Sequence, residues 1–64
     1  MKNRLKEIRL KKNLSQVELS AKSGVSRTII SQIENNDELS LHVSTLEKLC
    51  KALDEKITDI FFIK

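Results

Sequence analysis

Gln16-Val17-Glu18-Leu19-Ser20-Ala21-Lys22-Ser23-Gly24-Val25-Ser26-Arg27-Thr28-Ile29-Ile30-Ser31-Gln32-Ile33-Glu34-Asn35 is the stretch on which the fold turns. It reads as two helices with a short turn between them. Ser15, just ahead of it, stands three residues before Glu18, the spacing of a capping box in which each side chain satisfies the other residue's backbone N–H. Leu14 and Leu19 flank that cap as a hydrophobic staple. Gly24 ends the first helix, because it takes a positive φ without steric cost. Ser26 opens the next as its N-cap, with Val25 and Ile30 as the staple pair. The caps Ser15 and Ser26 lie eleven residues apart, so the connection is tight, and helices joined this way cross at roughly 90–120°. Ser20 is small enough to stand at such a crossing, with Leu19, Val25, Ile30 and Ile33 filling the space between. Arg27, Thr28, Ser31, Gln32 and Asn35 remain outward on the second helix. They are polar, share one side and include no acid.

The rest of the chain continues the helical reading. There is no proline and one glycine among 64 residues, and β-branched residues nowhere alternate over a sustained run. A first helix is expected over residues 3–12, with Leu5 and Ile8 inward. Asn13 ends it, being one of the few non-glycine residues that tolerates the left-handed region. Residues 36–42 form a polar loop. Ser40, His42 and Ser44 are all candidate caps for a fourth helix, whose apolar stripe is Val43, Leu46, Leu49, Cys50 and Leu53. After the turn Asp54-Glu55-Lys56, a short fifth helix covers residues 57–61. Residues 62–64 extend it or form a brief strand, and the sequence does not choose between the two. The expected architecture is all-α, a compact five-helix domain spanning residues 1–64.

Composition narrows the function classes. Cys50 is the one cysteine and His42 the one histidine, so neither a disulfide nor a zinc site can form within one chain. A lone cysteine points to a reducing compartment. The start, Met1-Lys2-Asn3-Arg4, leads into charged residues, and nothing approaches the ~20 apolar residues of a membrane span. A cytoplasmic protein without membrane contact is expected. There is no Gly-rich phosphate loop and no histidine–nucleophile pair, and the carboxylates are dispersed. Neither catalysis nor a cofactor nor a small-molecule ligand is expected.

The net charge of +3 hides an asymmetry. Residues 1–33 hold eight basic groups against two acids, whereas residues 34–64 hold four against seven. The N-terminal half therefore suits a polyanion and the C-terminal half does not.

With Leu5-Lys6-Glu7-Ile8-Arg9 ahead of it and Thr45-Leu46 to Phe61 behind, the opening stretch resembles the phage lambda repressor and Cro family of helix-turn-helix proteins, often called the XRE family. The resemblance covers about residues 5–61. Its most telling pieces are Leu14-Ser15-Gln16, Gly24-Val25-Ser26-Arg27 and Ile30-Ser31-Gln32-Ile33-Glu34. It implies a binder of double-stranded DNA that places its third helix in the major groove, with Arg27, Thr28, Ser31 and Gln32 toward base edges. It also implies that Gln16 and Asn35 hold phosphates, and that Arg9 pairs with Glu34. Side-chain chemistry agrees: arginine donates two parallel hydrogen bonds to guanine, and glutamine pairs bidentately with adenine. Ser26 and Gln16, at helix starts, suit phosphate contacts. Ser20 stands where the family has alanine, Asp54 where it often has glycine, and Asp37-Glu38 where relatives often carry basic residues.

The expected function is a transcriptional regulator, a repressor that binds an inverted-repeat operator as a homodimer. An antitoxin of a toxin–antitoxin pair and a controller protein of a restriction-modification system are the alternatives. A chain this small buries a modest core, and its end is apolar, so Leu39, Leu41, Phe62 and Ile63 are the expected dimer contacts.

Overall fold

The computed structural model describes residues 2–36 and 41–62. Along them run β1 (Lys2–Asn3), α1 (Leu5–Lys11), α2 (Gln16–Ser23), α3 (Arg27–Asn35), α4 (Val43–Leu53), α5 (Ile57–Ile60) and β2 (Phe61–Phe62). The helix boundaries follow local chemistry. At α2 the capping box is complete: Glu18 N–H donates to Ser15 Oγ at 3.0 Å and Ser15 N–H to Glu18 Oε1 at 2.8 Å. Gly24 closes α2 at φ 76°, and Ser26 Oγ opens α3 by accepting from Ile29 N–H at 3.2 Å. Asn13 (φ 59°) and Asp54 (φ 55°) adopt the left-handed conformation after α1 and α4. Aspartate takes the conformation in which glycine is cheapest.

Three expectations change in detail. Helix α1 begins at Leu5 rather than at residue 3. Asn3 is drawn out of it: its Oδ1 accepts from Leu5 N–H at 3.0 Å, a local bond that competes with the helix. Its main chain pairs instead with the chain's far end. β1 and β2 form an antiparallel ribbon with Lys2 opposite Phe62 and Asn3 opposite Phe61, and Arg4 N–H donates to Ile60 O at 2.7 Å. Residue 61 is thereby a strand residue, not the end of α5. On α4, Val43 is 62% exposed and not part of the buried stripe, where Ala52 joins Leu46, Leu49, Cys50 and Leu53. Val43 is the first residue of its helix and stands a full turn ahead of Leu46, beyond the core. His42 takes the N-cap position of α4 without a side-chain bond. Ser44 lies inside the helix, and Ser40 outside the described residues.

Every helix contributes to one core. Leu5, Leu19, Ile30, Ile33, Leu49, Leu53 and Ile60 are fully buried, each worth ~1.5–3 kcal/mol against exposure. Ile8, Leu14, Ile29 and Leu41 pack on it from the edge. Helix α2 packs against both α3 and α4, so the second half of the chain braces the bihelical unit. Among the described residues no helix is long and apolar enough to cross a membrane.

Candidate nucleic-acid interface

Burying Ile30 and Ile33 turns the opposite side of α3 outward. Arg27, Thr28 and Gln32 are exposed and Ser31 is half-buried. These four, together with Gln16 from the start of α2, line one shallow depression. No acidic residue lies in the first turn of α3, and its positive dipole end favours an anionic neighbour. Side chains on a rigid helix, an acid-free surface and a helix start at the rim are what reading base edges between two phosphate backbones requires.

Of the remaining expected contacts, Ser26 and Asn35 stand at the two ends of α3. Ser26 is exposed at the N-cap, where its hydroxyl already serves Ile29 N–H. Asn35 is exposed at the last turn, with its Nδ2 folded back on Ser31 O at 2.8 Å and Ser31 Oγ at 3.4 Å. Leu41 is half-buried and lines a cleft beside α3 with Ser26, Gln32 and His42. Phe62 is placed by its main chain in β2. Its side chain, Leu39, Ile63 and the Asp37-Glu38 pair lie outside the described residues.

Next to Gln16, Arg9 and Glu34 form a buried ion pair, with side chains 7% and 2% exposed. Arg9 donates from Nε to Glu34 Oε2 at 2.7 Å and from Nη2 to Oε1 at 3.1 Å. Its Nη1 donates to Leu14 O at 2.7 Å. The side-chain hydrogen bonds that Glu34 accepts hold the guanidinium pKa above its ordinary value, against the opposing effect of burial. Gln16 joins the pair, Nε2 donating to Glu34 Oε1 at 3.1 Å. Asn3 adds a second tie, its Nδ2 donating to Ile33 O at 3.0 Å. Reading the sequence missed both bonds. Gln16 was legible as a surface contact and Asn3 as a helix residue, and no local spacing links either to α3.

Elsewhere, burial pushes the Cys50 thiol pKa up, with Asp59 and Glu47 adding to the effect. A protonated thiol at 7% exposure is a core group. No cluster of three or more His, Cys, Asp or Glu that could hold a metal occurs among the described residues.

A reading helix held across a short turn by a capped partner helix defines the helix-turn-helix class of DNA-binding proteins. The helix-turn-helix family HTH_3 matches residues 5–60, and the chain belongs to this family, whose XRE-type members are DNA-binding transcriptional regulators. It is 36% identical over 64 residues to a Bacillus subtilis (strain 168) protein named "Uncharacterized HTH-type transcriptional regulator YgzD", covering 100% of this chain and 96% of that one.

Proposed function

We propose that the protein is a transcriptional repressor that binds an inverted-repeat operator as a homodimer, with Arg27, Thr28, Ser31 and Gln32 reading bases and Gln16, Ser26 and Asn35 holding phosphates. The observation that carries this reading is the acid-free depression in which Gln16 meets Arg27, Thr28, Ser31 and Gln32. Repression needs nothing beyond that surface, since occupancy of a promoter excludes other proteins from it.

The dimer is supported by apolar surface elsewhere. Val43 is 62% and Ile57 39% exposed. Ile57 lines a groove between α4 and α5 with Ser44, Glu47 and Lys51, sharing no residue with the reading depression. Pairing two copies through α4, α5 and the chain end, with Phe62 and Ile63 as contacts, leaves both α3 helices free. A two-fold axis there sets them about one DNA turn apart, roughly 34–36 Å.

Selection of binding sites from random duplex DNA tests the whole reading. A sequence with two-fold symmetry and half-sites spaced by about 10 base pairs is expected. Arg27→Ala or Gln32→Ala then weakens binding to that site by ~1–3 kcal/mol and relaxes the preference at one base pair per half-site. Enrichment of no sequence, or full preference retained by Arg27→Ala, defeats base reading by α3. A single unsymmetric half-site defeats the homodimer alone.

A further inference from the structure

The buried ion pair lies where it can act on the DNA contact. Glu34 closes α3, its side chain is 2% exposed, and one of its oxygens receives the Gln16 amide at 3.1 Å. Gln16 is the first residue of α2, where main-chain N–H groups have no partner within the helix. The Ser15 and Glu18 N–H groups are taken by the capping box and the Leu19 N–H by Ser15 O. Among the described residues the N–H groups of Gln16 and Val17 have no such partner. A primary amide carries two N–H donors. One Gln16 Nε2 hydrogen is committed to Glu34, which restricts the rotamers of this side chain and leaves the other hydrogen to serve an outside acceptor. Arg9 completes the device: it neutralises Glu34 with two hydrogen bonds and clamps Leu14 O, two residues ahead of Gln16, with a third.

We propose that Glu34 is a positioning residue for DNA binding: through its bond to Gln16 Nε2 it fixes that amide so that the second N–H and the first free N–H groups of α2 bind one backbone phosphate, while Arg9 cancels the carboxylate charge next to it. This rests on the reading of Gln16 as a phosphate contact. The pair then has a function separate from stability. A phosphate held by fixed donors sets the angle at which α3 enters the groove, and a carboxylate left without Arg9 repels that same phosphate.

The test is a double-mutant cycle read in DNA affinity on the selected duplex, with ethylation interference to locate the phosphate. Gln16→Ala is expected to weaken binding about tenfold, as loss of one hydrogen bond to a charged acceptor does. It should do so on all sequences alike and remove interference at one phosphate per half-site. Glu34→Gln is expected to lose interference at the same phosphate, and adding Gln16→Ala to it changes affinity less than about twofold, the signature of coupled groups. The apolar replacement Arg9→Met/Glu34→Leu repeats the cycle in a second background, because exchanging both partners of a buried pair commonly preserves stability. Circular dichroism establishes folding in each. A full tenfold cost of Gln16→Ala in a folded Glu34 variant overturns the positioning role. Wild-type affinity of Gln16→Ala overturns the phosphate contact and the inference with it, whereas the Arg27 variants decide separately whether α3 reads bases.

Discussion

The side-chain amide of Asn3 donates a 3.0 Å hydrogen bond to the main-chain carbonyl of Ile33, thirty residues along the chain. Ile33 O is among the last four carbonyls of α3, which have no partner within the helix. The same side chain accepts Leu5 N–H, one of the unpartnered donors at the start of α1. One asparagine thus satisfies a helix end on either side and anchors the ribbon to α3.

Asn3→Ala strips both bonds at once and is expected to lower stability by about 1–3 kcal/mol, the cost of leaving part-buried backbone groups unpaired. Asn3→Asp keeps the acceptor for Leu5 but sets a carboxylate against Ile33 O, so it should not recover wild-type stability. Urea unfolding of the two variants measures both. Wild-type stability in Asn3→Ala would show that water replaces the amide at no cost.

The Arg9–Glu34 pair predicts an asymmetry between breaking and replacing. Arg9→Ala leaves Glu34 buried and unpaired, a loss of about 3–5 kcal/mol, whereas Arg9→Met/Glu34→Leu is expected to lie near or above wild-type stability. Arg9→Lys should resemble Arg9→Ala more than wild type, because an ammonium cannot reproduce the planar fork that reaches Glu34 and Leu14 O together. Urea midpoints rank the three variants, and a lysine variant of wild-type stability would refute the geometric argument.

Asp54 holds φ 55° after α4, a conformation that penalises side chains with a Cβ by about 1–2 kcal/mol and glycine hardly at all. Asp54→Gly is therefore expected to stabilise the fold by up to about 1 kcal/mol after its greater unfolded-state freedom is counted. In a domain of this size that corresponds to roughly 4–8 °C in Tm. Calorimetry decides, and a lowered Tm would mean that the aspartate makes a compensating contact.

The capping box predicts a pH dependence. Ser15 N–H and, second, the Ser15 hydroxyl hold the Glu18 carboxyl below its ordinary pKa. A carboxylate whose pKa is depressed on folding stabilises above its unfolded pKa and loses that contribution as pH falls through the folded value. The difference in urea midpoint between wild type and Glu18→Gln should be widest at neutral pH. It should close as the pH drops below about 4, the ordinary glutamate range. A gap of constant width from neutral pH to pH 3 would remove the charge from the cap.

The helix punctuation was legible residue by residue. Ser15 with Glu18, Gly24, Ser26 and Asn13 each act within three residues of themselves, so spacing and φ preference suffice to place them. The outward set Arg27, Thr28, Gln32 was legible for the same reason, since the burial of Ile30 and Ile33 dictates the opposite face. The ribbon was not. Two-residue strands carry no period, and Lys2 and Asn3 are extended only because Phe61 and Phe62 lie beside them.

The sequence by itself determined where the helices start and stop, which face of α3 is polar, and membership in a helix-turn-helix family, because each is written in local hydrogen-bond and steric preferences. The tertiary structure decided how that face is held. Glu34 meets Arg9 across 25 positions and Gln16 across 18, and Asn3 meets Ile33 across 30. Those pairings exist only once the core around Leu5, Leu19 and Ile33 has closed and excluded water, which brings the partners together and leaves each polar group no cheaper place to bond.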